Sequence, residues 1–181
     1  MVDKEEALKL LHEYVKSESI RRHCYAVAAS MEAYAEKYGE DKDKWGICGL
    51  LHDFDYEKYP TIPEHVTEGV KILRKINYPE EIVKAIEGHA DYMNVPRESL
   101  MAKCLFAVDE LSGFVVALAR VKNGFDMDAE SVKRALKKKG FAAAVNREDI
   151  ERGIEELKVN KEEHFNLVIK ALNGISKQLG F

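Results

Sequence analysis

Three cysteines, four prolines and one tryptophan are few for a chain of 181 residues. Cys24, Cys48 and Cys104 are odd in number, lie far apart and form no CxxC pair. This excludes a disulfide framework and a thiolate zinc site, and leaves them as small buried hydrophobes. An excess of positive charge is also missing. Lys and Arg number 28 against 32 Asp and Glu, a formal charge of -4, and a phosphate backbone recruits a basic face, so duplex nucleic acid is not an expected partner. No uninterrupted apolar segment reaches membrane-spanning length, and "MVDKEEALKLLHEYV" has neither the basic start nor the apolar core of a signal peptide. A cytoplasmic protein without membrane contact is expected. The sequence contains no internal repeat, low-complexity tract or Gly/Ser linker that would divide it into independent domains.

Period-two alternation of β-branched residues is absent too, while apolar residues recur at three- and four-residue steps almost everywhere. The pattern predicts an all-α fold, a compact multi-helix bundle. Helices are expected near residues 3–16, 18–38, 42–53, 63–76, 79–90, 97–121, 129–139, 147–158 and 161–179. Thr61 and Glu64 have capping-box spacing with Pro63 in the first turn, and Asn160 and Glu163 repeat the pattern. Pro79 and Pro96 sit where an early helical proline is tolerated, and Gly39, Gly140 and Asn146 mark breaks. The polar stretch "KNGFDMD" at 122–128 is the best seam. It separates a core of residues 1–121 from a C-terminal helical extension, 122–181, that packs on the core as one domain.

Against this apolar background a few ionisable residues stand out. In "GLLHDFDYEKYP", Leu50 and Leu51 bury the helix that delivers His52 and Asp53. His23 lies beside the stripe Ile20, Cys24, Val27, Met31 and Ala35, and Asp109 interrupts a helix that is apolar around most of its girth. A buried unpaired charge is expensive, and the residues one turn from Asp109 supply no cation. A divalent metal resolves all four cases, because it turns inward imidazoles and carboxylates into ligands. Adjacent His and Asp point about 100° apart on a helix, so they serve one ion only at a helix end, or with Asp reaching to a second ion.

His23, His52–Asp53, His65, His89 and Asp109 follow one another in that order, and this H…HD…H…H…D series resembles the HD superfamily of metal-dependent phosphohydrolases over about residues 18–120. The resemblance implies an all-α HD domain in which His23, His52, Asp53 and Asp109 hold a first metal, with Asp53 bridging. His65 and His89 match the two further histidines of the binuclear subset. The chain is also similar to bacterial predicted hydrolases of this superfamily without an assigned substrate. The resemblance implies two divalent transition metals (Fe, Mn, Co, Ni or Zn). It implies an enzyme cleaving a phosphoester or phosphoanhydride of a small molecule, nucleotides included, with a metal-bridging hydroxide as nucleophile. Many relatives carry a Lys three residues after the HD aspartate; here Tyr56 stands there, and Lys58 is the nearest substitute. Catalytic roles are thus expected for Asp53, His52 and Lys58, and substrate contacts for Lys58 and Tyr56. Two other readings use the same residues: a mixed-valent di-iron HD-fold oxygenase, and a non-catalytic metal- or nucleotide-binding module. A homo-oligomer is compatible with all three.

The remaining polar residues are assigned elsewhere. His12 and His164 lie outside the series and are expected to face solvent. Asp55 reads as a turn residue just past a helix end, with holding water or a cationic group near the site as the alternative. Lys133, Arg134, Lys137, Lys138 and Lys139 read as a solvated face, with steering of anionic substrates as the alternative; Arg22 and Arg147 are weaker candidates for steering. Trp45, Tyr56 and Tyr59 read as core or pocket wall rather than a base-stacking platform.

Overall fold

The structure, a computed structural model, describes residues 3–181. It is built from ten α-helices: α1 Lys4–Tyr14, α2 Glu18–Tyr38, α3 Lys42–Leu51, α4 Glu64–Lys75, α5 Glu80–His89, α6 Leu100–Lys122, α7 Ala129–Leu136, α8 Arg147–Leu157, α9 Lys161–Gly174 and α10 Ser176–Leu179, with one 3₁₀ turn at Asp91–Met93. The described residues contain no strand, and no helix is long and apolar enough to cross a membrane.

Short polar side chains start most of these helices. Asp3, Ser17, Asp41, Ser99, Asp128, Asn146 and Asn160 each accept hydrogen bonds from backbone N–H groups of the first turn, which satisfies donors the helix itself leaves open. Gly39 ends α2 at φ 71°, in the left-handed region that costs glycine little. The Thr61–Glu64 pair behaves differently from a capping box. The Thr61 hydroxyl donates to the Glu64 carboxylate at 2.6 Å, and α4 starts without a side-chain cap. The last predicted helix is interrupted at Ile175, and the one placed at 129–139 stops at Leu136.

The long helix α6 is the axis of the core. Met101, Cys104, Leu105, Val108, Leu111, Phe114 and Val115 on it are buried, and α2, α5, α8 and α9 pack around them. A helix with apolar residues around its girth gains from neighbours on every side. Helix α3 lies closely along α2 because Gly49 lets the backbones touch: a Cβ there would stand 2.9 Å from Ala28 Cα and Ala28 N. All three cysteines are buried and free.

His164 corrects the sequence reading. It is completely buried between α9, α2 and α6; the Tyr34 hydroxyl donates to its Nδ1, and its Nε2–H donates to the Ala107 carbonyl at 3.1 Å. Burial pushes its pKa down to about 4. His12 is half-buried and meets the Tyr25 hydroxyl at 2.6 Å. The unfolded chain takes up a proton on His164 near pH 6.5, and the folded chain does so only near pH 4. Stability therefore falls as pH drops through this window, by about 3 kcal/mol from this group. Urea midpoints measured between pH 7 and pH 4 should show this slope in the wild type, and a shallower one in His164→Gln.

Candidate metal centre

Five helices bring six side chains to one place. His23 projects from the second turn of α2, and Asp109 from the middle of α6. His52 caps the end of α3, and Asp53 begins the turn that follows. This turn is tied back to the α1–α2 junction, where the Glu57 carboxylate accepts from Lys16 N and Ser17 N, both at 2.8 Å. His89 is the last residue of α5. His65 enters from the start of α4, where the backbone leaves helical geometry: His65 has φ -53°, ψ 143°, and Val66 has φ 64°, ψ -48°. A β-branched residue in that region is strained. Tyr92 braces the spot, its hydroxyl donating to the His65 carbonyl at 3.1 Å.

The six side chains form two groups of three, each with its donor atoms within 4.8 Å of one another: His23, His52 and Asp109, and Asp53, His65 and His89. In the first, His23 Nε2 lies 3.0 Å from Asp109 Oδ1 and 3.2 Å from His52 Nε2. In the second, Asp53 Oδ1 lies 3.3 Å from His65 Nε2 and 3.4 Å from His89 Nε2. The other Asp53 oxygen, Oδ2, faces the first group, 3.5 Å from His52 Nε2 and 3.7 Å from His23 Nε2. One carboxylate therefore spans both groups.

Three of the four imidazoles are fixed from behind. His52 Nδ1–H donates to the Gly49 carbonyl at 2.8 Å, His89 Nδ1–H to the Ile86 carbonyl at 2.6 Å, and His65 Nδ1–H to Asp55 Oδ1 at 3.0 Å. Each bond leaves the inward Nε2 as the electron-pair donor, the arrangement that metal-ligating histidines adopt. Charge is balanced only by proximity. Burial opposes a charge on His52, but Asp53 and Asp109 outweigh it and raise the pKa to about 10. His65 is likewise opposed by burial and raised to about 9 by Asp53 and Asp55. Both Asp53 and Asp109 resist burial and are held well below the usual carboxylate range, chiefly by His52. These imidazoles and carboxylates suit divalent zinc, iron, manganese, cobalt or nickel. Binding would displace protons, so apparent affinity should rise with pH.

Asp55, read from sequence as a turn residue, is 1% exposed. Its second oxygen accepts from Gly69 N at 3.0 Å, and Gly69 has no side chain to spare: a Cβ there would meet the Asp55 carboxyl at 2.8 Å. Only the tertiary arrangement of α4 reveals this role. Asp55→Ala would orphan the His65 Nδ1–H and the Gly69 N–H. It should lower stability by about 3 kcal/mol and weaken the second donor group's hold on an ion by 10–100-fold. A thermal melt and a calorimetric metal titration would check both, with the first group far less affected.

A cleft of about 340 Å³ opens on Asp53, His65, His89 and Asp109, walled by Tyr92 and Phe106. Asp91, Glu110 and Asp149 complete the lining, and no lysine or arginine belongs to it among the described residues. Burial and then the adjacent Asp109 push Glu110 up to about 7. Lys58, expected from sequence at the substrate, is not brought to the cleft; its ammonium lies 3.5 Å from the centroid of the Tyr14 ring, because the turn after Asp53 carries it toward α1. Tyr56 is 42% exposed and packs edge-on against His65, ring centroids 5.0 Å apart. Trp45 is core. Arg147 does not face the cleft either, since its guanidinium clamps the α7–α8 connection through the carbonyls of Leu136, Lys138, Phe141, Ala142 and Val145. Lys133 is engaged by Glu130 and Glu162.

Part of the chain is similar to known proteins. The family model of the HD domain matches residues 20–113. Ribonuclease Y of Lawsonia intracellularis is 35% identical over 101 residues, which is 54% of this chain and 19% of that protein. For Ribonuclease Y of Malacoplasma penetrans the figures are 29% over 100 residues, 53% and 20%, and for that of Lactobacillus gasseri 31% over 96 residues, 52% and 17%. The chain thus spans about a fifth of the length of the curated relatives it matches. No solved structure matches.

Proposed function

The chain belongs to the HD domain family, and we propose that it is a metal-dependent phosphohydrolase working at a two-ion centre. His23, His52 and Asp109 would hold one ion, His65 and His89 the other, and Asp53 both. The observation that carries this reading is the Asp53 carboxylate, with Oδ2 toward one donor group and Oδ1 toward the other. When bound, such ions neutralise phosphate oxygens and acidify water. The chain's own contribution is positional. Gly49, Ile86 and Asp55 keep a proton on Nδ1 of His52, His89 and His65 and so aim each Nε2 inward. Tyr92 and Phe106 wall the cleft. No protein nucleophile is required.

The substrate is a phosphoester or phosphoanhydride, a nucleotide or ribonucleotide diester in the first instance, since the matched relatives are named as ribonucleases. We read the C-terminal helices as part of one domain with the core, a reading supported by α8 and α9 lying against α6. One observation favours a second reading: the cleft wall is rich in carboxylates and has no lysine or arginine among the described residues, which suits a less anionic substrate and the oxygenase chemistry that shares these ligands.

Phosphate release should be measured over a panel of nucleotides, phosphomonoesters and short oligoribonucleotides, after anaerobic reconstitution with iron(II), manganese(II), cobalt(II) or nickel(II). Metal-dependent release by the wild type is the expected outcome. Silence across the panel with metal bound, together with substrate-dependent oxygen uptake, would replace it with the oxidative reading.

A further inference from the structure

His23 differs from the other three imidazoles of the centre. Its Nε2 faces Asp109 and His52, but its Nδ1 meets no hydrogen-bond acceptor among the described residues. Nδ1 opens instead onto a groove of about 520 Å³ between α2 and α6, lined by Ser19, Arg22 and His23 on one side and Gly113, Ala117 and Arg120 on the other. Gly113 borders the opening, and even a Cβ there would lie at an ordinary contact distance, 3.8 Å, from His23 Nδ1. The two arginines are steadied from outside. Arg22 pairs with the exposed Glu18 at 2.8 Å and has Gly180 against its guanidinium. Arg120 gives one N–H to the Leu179 carbonyl at 3.1 Å and has its guanidinium carbon 5.2 Å from the Phe181 ring centroid. A guanidinium carries five N–H donors, so each retains donors for a ligand.

We propose that this groove binds a tetrahedral oxyanion, held by Arg22 and Arg120 and accepting a hydrogen bond from His23 Nδ1–H. The anion takes the place that Gly49, Ile86 and Asp55 fill behind the other histidines. This rests on the reading of His23 as a metal ligand through Nε2. An acceptor on the far nitrogen fixes the tautomer and raises the basicity of the ligating one, so the anion tightens the first ion, and by linkage the ion tightens the anion. Two guanidiniums beside an imidazole recognise phosphate geometry better than a lone lysine would. The phosphate is either free or a remote group of a longer substrate.

The probe is sulfate, which complexes divalent manganese weakly. Sulfate should bind the metal-free protein and shift the side-chain NMR signals of Arg22, Arg120 and His23. In saturating sulfate the first manganese ion should bind about tenfold more tightly than in chloride of equal ionic strength. Arg22→Gln/Arg120→Gln should abolish both effects, and Arg22→Lys/Arg120→Lys, which keeps both charges without the planar fork of donors, should weaken them. Sulfate binding undiminished in these variants overturns the site, and unchanged manganese affinity with sulfate bound overturns the coupling. Sulfate binding that depends on the arginines in a protein that takes up no metal leaves the groove standing and removes the two-ion reading. Displacement of sulfate by one equivalent of the dinucleotide pApA identifies the anion as a substrate phosphate, and failure to displace identifies it as a free ion.

Discussion

Asp53→Ala is expected to disable both donor groups at once, and to reduce metal-dependent turnover at least about a thousandfold, equal to about 4 kcal/mol of transition-state stabilisation. Among the described residues, Asp53 is the side chain with one oxygen toward each group. His65→Ala or His89→Ala should behave differently and spare the ion held by His23, His52 and Asp109. The measurement is metal stoichiometry by elemental analysis beside steady-state turnover. Two ions retained by Asp53→Ala, or activity retained with them, would remove Asp53 from its bridging role. His52 and Asp53 are adjacent, yet the α3 end and the turn beyond it separate their directions, so His52→Ala should cost chiefly the first ion.

Gly49→Ala should be a strongly damaging single-methyl change in the core. The added Cβ meets backbone atoms of Ala28 and Val27 at 2.9 Å, and backbone cannot swing aside as a flexible side chain can. Helix α3 must move off α2, at about 3 kcal/mol, with a melting temperature lower by about 6–12 °C. The displacement also has a functional reading, because Gly49 supplies the carbonyl that orients His52. Circular dichroism melts with and without metal should therefore show a smaller metal-induced stabilisation in the variant. An unchanged melt would mean that the two helices separate easily and that Gly49 is tolerated rather than required.

Period and caps made the helices legible in the sequence. The helix expected at 18–38 runs Glu18–Tyr38 and ends where Gly39 indicates, and the girdled apolar pattern of residues 100–118 identifies the central helix. Local signals failed where tertiary contacts decide. Nothing near His164 in sequence foretells that Tyr34, 130 positions away, will take its Nδ1. Asp55 looks like any acid in a turn until α4 arrives with His65 and Gly69. The spacing of His23, His52, Asp53, His65, His89 and Asp109 was readable because each sits on or beside an apolar helix, where an ionisable group needs a reason. Lys58 was misplaced because position along the chain says nothing of which way a turn faces.

The strained start of α4, with Val66 at positive φ behind His65, would make the local backbone sensitive to an ion bound there. Such a backbone persists only when its surroundings hold it, and an ion on His65, His89 and Asp53 would join that hold, adding about 2.7 kcal/mol at a hundredfold excess over its dissociation constant. Removing metal should therefore loosen the backbone around His65 and Val66, and amide hydrogen exchange with and without metal would show it.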